Sequence, residues 1–111
     1  MLTIAATAAL VRSDISRVVV HNDSGLPIGN LGVEAAGSSR TFLNVNDGES
    51  VALQLAKSGG ESAVTITTNG SVMWQGDYIE PRGGYLEMVH LRPDGGVITS
   101  STISFWQKLL H

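Results

Sequence analysis

Five glycine-bearing turn signals punctuate the chain at short intervals: Asp23-Ser24-Gly25, Asn46-Asp47-Gly48, Ser58-Gly59-Gly60, Asn69-Gly70 and Pro93-Asp94-Gly95-Gly96. Between them lie short runs of β-favouring residues. Such runs close into hairpins across Asn-Gly and Asp-Gly signals, because glycine takes the positive φ that the turn requires. The rhythm predicts an all-β chain, built as a single antiparallel β-sandwich of about seven or eight strands. The 111 residues make one domain (1–111), long enough to bury a core without covalent staples.

Composition narrows the classes of function. Charged residues are only 15% of the chain against 42% hydrophobic, which argues for a folded domain. With a net charge of -3 and seven scattered Lys and Arg residues, the chain has no basic stripe to follow a phosphate backbone, so nucleic acid is not an expected partner. The absence of cysteine excludes disulfides, thiol chemistry and Cys-ligated zinc, and it assigns no compartment. Leu2 to Val11 is apolar and alanine-rich, but it has no basic residue before it and is too short for a membrane helix. It is expected to be a strand or short helix covering the core, and no membrane span is expected. Ala6-Thr7-Ala8 has the small-x-small form of a cleavage site, although fewer residues precede it than a secretory signal normally occupies.

The individual runs carry specific expectations. Ile15 to His21 is β-branched on both faces and predicts a central strand, whereas Leu26 to Ala36, interrupted by Pro27, Gly29 and Gly32, predicts an edge or bulged strand. Thr41 to Gln54 predicts a hairpin around Asn46-Asp47-Gly48. That register turns Leu43 into the core and leaves Phe42 on the polar face, in need of cover. Around Asn69-Gly70, Ile66 is expected opposite Met73. Trp74 then lies on the other face, half-exposed as a binding platform, unless a bulge returns it to the core. In the last hairpin Leu91 pairs with Val97 and His90 with Ile98. Leu86, Met88 and Ile98 then form a second apolar face, to be covered by the N-terminus, by a tail containing Phe105 and Trp106, or by a second copy of the chain.

No constellation in the sequence carries catalysis. There is no Gly-x-Ser-x-Gly elbow to expose a nucleophile, and neither turn Asp23-Ser24-Gly25 nor Asn46-Asp47-Gly48-Glu49 has the spaced acidic ligands of a calcium loop. His21 and His90 lack a His-x-His or His-x-x-x-His spacing and are expected to be structural or surface histidines, with no metal or cofactor implied. Asp77 and Glu80 flank Tyr78 in the stretch from Gln75 to Tyr85, which is read as the longest irregular segment and, for its carboxylates, as a solvated loop. Its tyrosines and arginine, beside Trp74, are the residue types that anchor interfaces.

Asp23-Ser24-Gly25-Leu26-Pro27-Ile28-Gly29-Asn30-Leu31-Gly32-Val33 followed by Thr41-Phe42-Leu43-Asn44-Val45-Asn46-Asp47-Gly48-Glu49-Ser50-Val51 resembles the opening of transthyretin-like domains, of the carboxypeptidase-regulatory and Cna-B types. The likeness covers residues 23–51. It departs from those families in lacking the usual Thr-Asp pair before the second glycine, and Lys57 is the only lysine before Lys108. The resemblance implies a prealbumin-like or immunoglobulin-like sandwich without catalysis of its own. Surplus apolar surface without a catalytic set makes the expected function a non-enzymatic binding or adaptor module, bacterial or phage-borne, recognising another protein through Trp74, Asp77, Tyr78, Arg82, Tyr85 and Phe42. Two alternatives stand beside it. One is a homo-oligomer assembled through Leu86, Met88, Ile98, Phe105 and Trp106; the other is a carbohydrate-binding module using the aromatic loop.

Overall fold

The computed structural model describes residues 15–56 and 59–103. They form eight strands: β1 (Arg17–Asn22), β2 (Ile28–Ala35), β3 (Ser38–Val45), β4 (Ser50–Gln54), β5 (Ser62–Thr68), β6 (Ser71–Ile79), β7 (Tyr85–Leu91) and β8 (Val97–Ile103). Two four-stranded sheets, ordered β4-β1-β7-β8 and β3-β2-β5-β6, face one another as the two layers of a β-sandwich. No helix among the described residues is long and apolar enough to cross a membrane.

Alternation builds the core. Val18 and Val20 of β1 and Val89 and Leu91 of β7 meet Leu31 and Val33 of β2 and Val64 and Ile66 of β5, all fully buried or nearly so. Burying each such side chain contributes about 1.5–3 kcal/mol, so the four inner strands dominate the stability of the domain. Leu2 to Val11, expected to cover this core, lies outside the described residues.

Three features differ from the reading of the sequence. β1 and β7 pair in parallel, so the sandwich is not purely antiparallel. The two strands are far apart in sequence and reach the centre of one sheet by long excursions through the other, as a parallel pair requires. β2 is central, between β3 and β5, because Pro27 falls before the strand and Gly29 and Gly32 do not break the ladder. The glycine at 32 lies against Thr67, whose hydroxyl would have to turn away from a Cβ at that position.

The third difference is the fate of the Thr41–Gln54 hairpin. β3 pairs with β2 through a two-residue turn at Ala36 and Gly37, whose φ values of 51° and 80° are those of a type I′ turn. β4 pairs with β1 in the other sheet, so Asn46-Asp47-Gly48 carries the chain between layers instead of folding it back. Asn44, at φ 54°, breaks the alternation just before this crossing. Leu43 consequently faces solvent, 68% exposed, while Phe42 packs against the core opposite Leu31. Buried Asn22 holds the crossing in place, with its side-chain amide donating to the backbone oxygens of Leu26 and Val45 at 2.9 and 3.0 Å.

The β7–β8 hairpin has the expected register, Leu91 with Val97 and His90 with Ile98, closed by Gly95 at φ 80°. Connectivity also separates this sandwich from the immunoglobulin order, in which the first two strands are neighbours in one sheet. Here β1 and β2, the first two strands among the described residues, belong to opposite sheets.

Candidate functional site

β6 is where local irregularity creates a surface. It is continuous to Ile79, so half of the stretch read as irregular is strand, and it carries two bulges against β5. At the first, Met73 is the extra residue between Val72 and Trp74, which turns Trp74 to the inner side opposite Ile66. Its indole packs against the core and lies across Gly76, where a Cβ would be 3.0 Å from Cζ2. At the second bulge Asp77 is the extra residue, and Tyr78 emerges opposite Ala63 with 74% of its surface exposed.

After β6 the chain turns through Gly83 and Gly84, at φ 103° and 68°. Ser16, fully buried, is the anchor of this turn. Its backbone N–H donates to Pro81 O at 3.0 Å, its hydroxyl lies 3.4 Å from Arg82 O as a donor, and its Oγ accepts the Tyr85 N–H at 3.1 Å. Gly83 also leaves room for the ring of Tyr85, which would lie 2.6 Å from a Cβ at that position. Tyr85 is thereby held near Tyr78 at one end of the sandwich.

The two tyrosines, with Glu61, Ile79, Glu80, Glu87 and Ser101, line a cavity of about 330 Å³ that bridges the ends of β5 and β6 in one sheet and β7 and β8 in the other. Glu87 is 2% exposed on the inner face of β7 and accepts a hydrogen bond from the Ser101 hydroxyl across the β7–β8 ladder. Three carboxylates and two phenols thus line the cavity, with no basic side chain among the described lining residues. Such a lining offers aromatic faces and negative charge to a cation.

Of the residues expected to bind, the fold brings Tyr78 and Tyr85 together and sets Trp74 and Phe42 apart from them. Phe42 lies half-buried on the β3 edge, its ring covered by the Arg40 guanidinium at 4.8 Å from the centroid. Arg82 is exposed and forms a backbone bridge with Ile15, outside the cavity lining. The Asp77 side chain, and Phe105 and Trp106, lie outside the described residues. Among the surface residues anticipated for self-association, Leu86 and Met88 are half-buried and Ile98 is exposed on the outer face of the β1–β7 sheet. Reading the sequence missed Glu61, Glu87 and Ser101 as cavity residues, since β5–β6 and β7–β8 are separate local pairs whose ends meet only through the packing of the two sheets.

Among the described residues, no group of three or more His, Asp or Glu side chains is placed to hold a metal ion. The two strand histidines nevertheless meet. His21 and His90 are direct partners across the parallel β1–β7 ladder, with ring centroids 5.4 Å apart, and His21 Nδ1 lies 2.6 Å from Ser50 Oγ. No protein-family model matches the chain, and no curated protein has significant sequence similarity to it.

Proposed function

We propose that the protein is a non-enzymatic binding module that takes a basic side chain of a protein partner into the cavity between Tyr78 and Tyr85. The observation that carries this reading is the shared lining: two tyrosines and three glutamates around about 330 Å³, with Tyr78 projecting into solvent at the mouth. A lysine or arginine entering there would gain cation–π contact with the phenol rings and Coulomb attraction to Glu61 and Glu80, a complementarity that sets specificity and association rate. Transthyretin-like kinship is part of the proposal. It is supported by the placement of β1 and β2 in opposite sheets, which favours the prealbumin-like of the two sandwich types named above.

Selection of a random peptide-display library against the intact protein tests the site. Enrichment of Lys or Arg is expected, with Tyr78→Ala and Glu80→Gln each weakening the selected peptides about tenfold while the melting temperature stays constant. Peptides that bind the Tyr78→Ala/Tyr85→Ala variant as tightly as the wild type would place recognition elsewhere.

A second reading, self-association through the outer face of the β4-β1-β7-β8 sheet, is favoured by Ile98, which is 52% exposed beside half-buried Leu86 and Met88. Sedimentation analysis distinguishes it. A concentration-dependent mass lost in Ile98→Glu supports the interface, and a monomer at every concentration removes it.

A further inference from the structure

The row of residues running across the outer face of one sheet is Ser50, His21, His90 and Ile98, one from each of its four strands. The imidazoles in the middle of that row are half-buried, so they are held on the sheet yet reach water. Because β1 and β7 pair in parallel and in register, the two side chains leave the backbone about 4.8 Å apart and on the same face. The rings tilt by 56° with centroids at 5.4 Å, a spacing that lets one ion lie between two ring nitrogens.

Ser50 prepares one of the ligands. When His21 Nδ1–H donates to Ser50 Oγ, the lone pair of that imidazole is at Nε2, and the ring is fixed in orientation. A second hydrogen-bond partner that sets the tautomer and holds the ring is the usual companion of a metal-binding histidine. The thioether of Met88 lies two residues before His90 on the same face of β7, so the donors offered by this patch are borderline to soft. Hard cations such as magnesium and calcium prefer oxygen cages and find none here.

From this geometry we infer that His21 and His90 form a two-imidazole chelate for a borderline divalent transition-metal ion, with copper(II) bound most tightly and water completing its coordination. Copper stands first because affinity of nitrogen sites rises along the divalent series to Cu²⁺ and falls at Zn²⁺. The site is separate from the tyrosine cavity and does not depend on the function proposed for it.

Titration of the intact protein with CuCl₂, followed by paramagnetic resonance of the bound ion, tests the chelate. Wild type and His111→Ala, the control for the terminal imidazole, are expected to bind one Cu²⁺ with coupling to two imidazole nitrogens. His21→Gln and His90→Gln should each bind at least about tenfold more weakly with the two-nitrogen signature lost, and Ser50→Ala about tenfold more weakly with both nitrogens retained. Melting curves recorded without metal establish that the variants are folded. Wild-type protein should also melt at higher temperature with CuCl₂ than with MgCl₂, as any ligand selective for the folded state requires. Binding that persists in the His21→Gln/His90→Gln variant, binding that vanishes in His111→Ala, or no binding by wild type would each overturn the inference.

Discussion

The side-chain amide of Asn22 donates to the backbone oxygen of Val45 at 3.0 Å, tying the end of β1 in one sheet to the end of β3 in the other. The same amide donates to Leu26 O, and its oxygen accepts from Ser24 N–H at 3.1 Å and from the Ser24 hydroxyl at 2.6 Å. The Asn22 backbone oxygen accepts from Gly48 N–H at 2.7 Å. Two turns, 23–26 and 46–48, are thereby locked onto one fully buried polar residue.

Asn22→Ala is expected to lower stability by about 3 kcal/mol, because it removes at once the side-chain partners of Leu26 O, Val45 O and the Ser24 N–H, while the backbone bond from Gly48 remains. Urea unfolding followed by circular dichroism measures it. A loss below about 1 kcal/mol would mean that the inter-sheet crossing is held by other contacts.

Leu43 and Phe42 should respond in the order opposite to that of the hairpin expected from the sequence. Leu43→Ser lies on an exposed face and should change stability by less than about 0.5 kcal/mol. Phe42→Ala removes a ring packed on the core and covered by Arg40, at a cost of about 2–3 kcal/mol. Equal effects, or the reverse order, would restore the β3–β4 pairing.

Gly76→Ala places a methyl 3.0 Å from the Trp74 ring. The indole must give by a few tenths of an ångström, with an expected loss of about 1 kcal/mol and a shift of its emission. A Trp106→Phe background leaves Trp74 as the one indole, since the chain has two tryptophans. Unchanged emission would show that the ring does not lie across Gly76.

Ser16→Ala removes the acceptor of the Tyr85 N–H and the donor to Arg82 O. An unsatisfied buried N–H costs about 1–3 kcal/mol. Amide exchange should accelerate at Tyr85 more than at Val20 in the core, and affinity for peptides selected on the tyrosine cavity should fall with it. Exchange that rises equally at both positions would indicate global destabilisation instead of a loosened loop.

Several elements were legible in the chain itself. The Pro93-Asp94-Gly95 hairpin has the register counted outward from its turn, because loop chemistry and alternation are local and agree with each other. The Asn69-Gly70 turn was equally readable, but Met73 opposite Ile66 was not what formed: a bulge, which costs little and has no residue signature here, moved Trp74 into that place. The clearest-looking hairpin, Thr41 to Gln54, failed because the same turn residues serve a crossing between layers as well as a fold-back. What distinguishes the two is Asn22, distant in sequence, and the availability of β1 as a partner for β4.

Local sequence therefore determined that this chain is all β, where its turns fall, and which strands alternate, since these depend on φ preferences and on side chains two residues apart. Beyond the β5–β6 and β7–β8 hairpins, tertiary structure alone decided which strands became neighbours. Pairing energy is much the same for many partners, and the choice is made by burial of both sheets at once. That choice brings Tyr78 and Tyr85 to Glu61 and Glu87, and lays His21 beside His90 across a parallel ladder. Neither juxtaposition can be read from spacing along the chain, because each is fixed by which inner faces had to close over the same core.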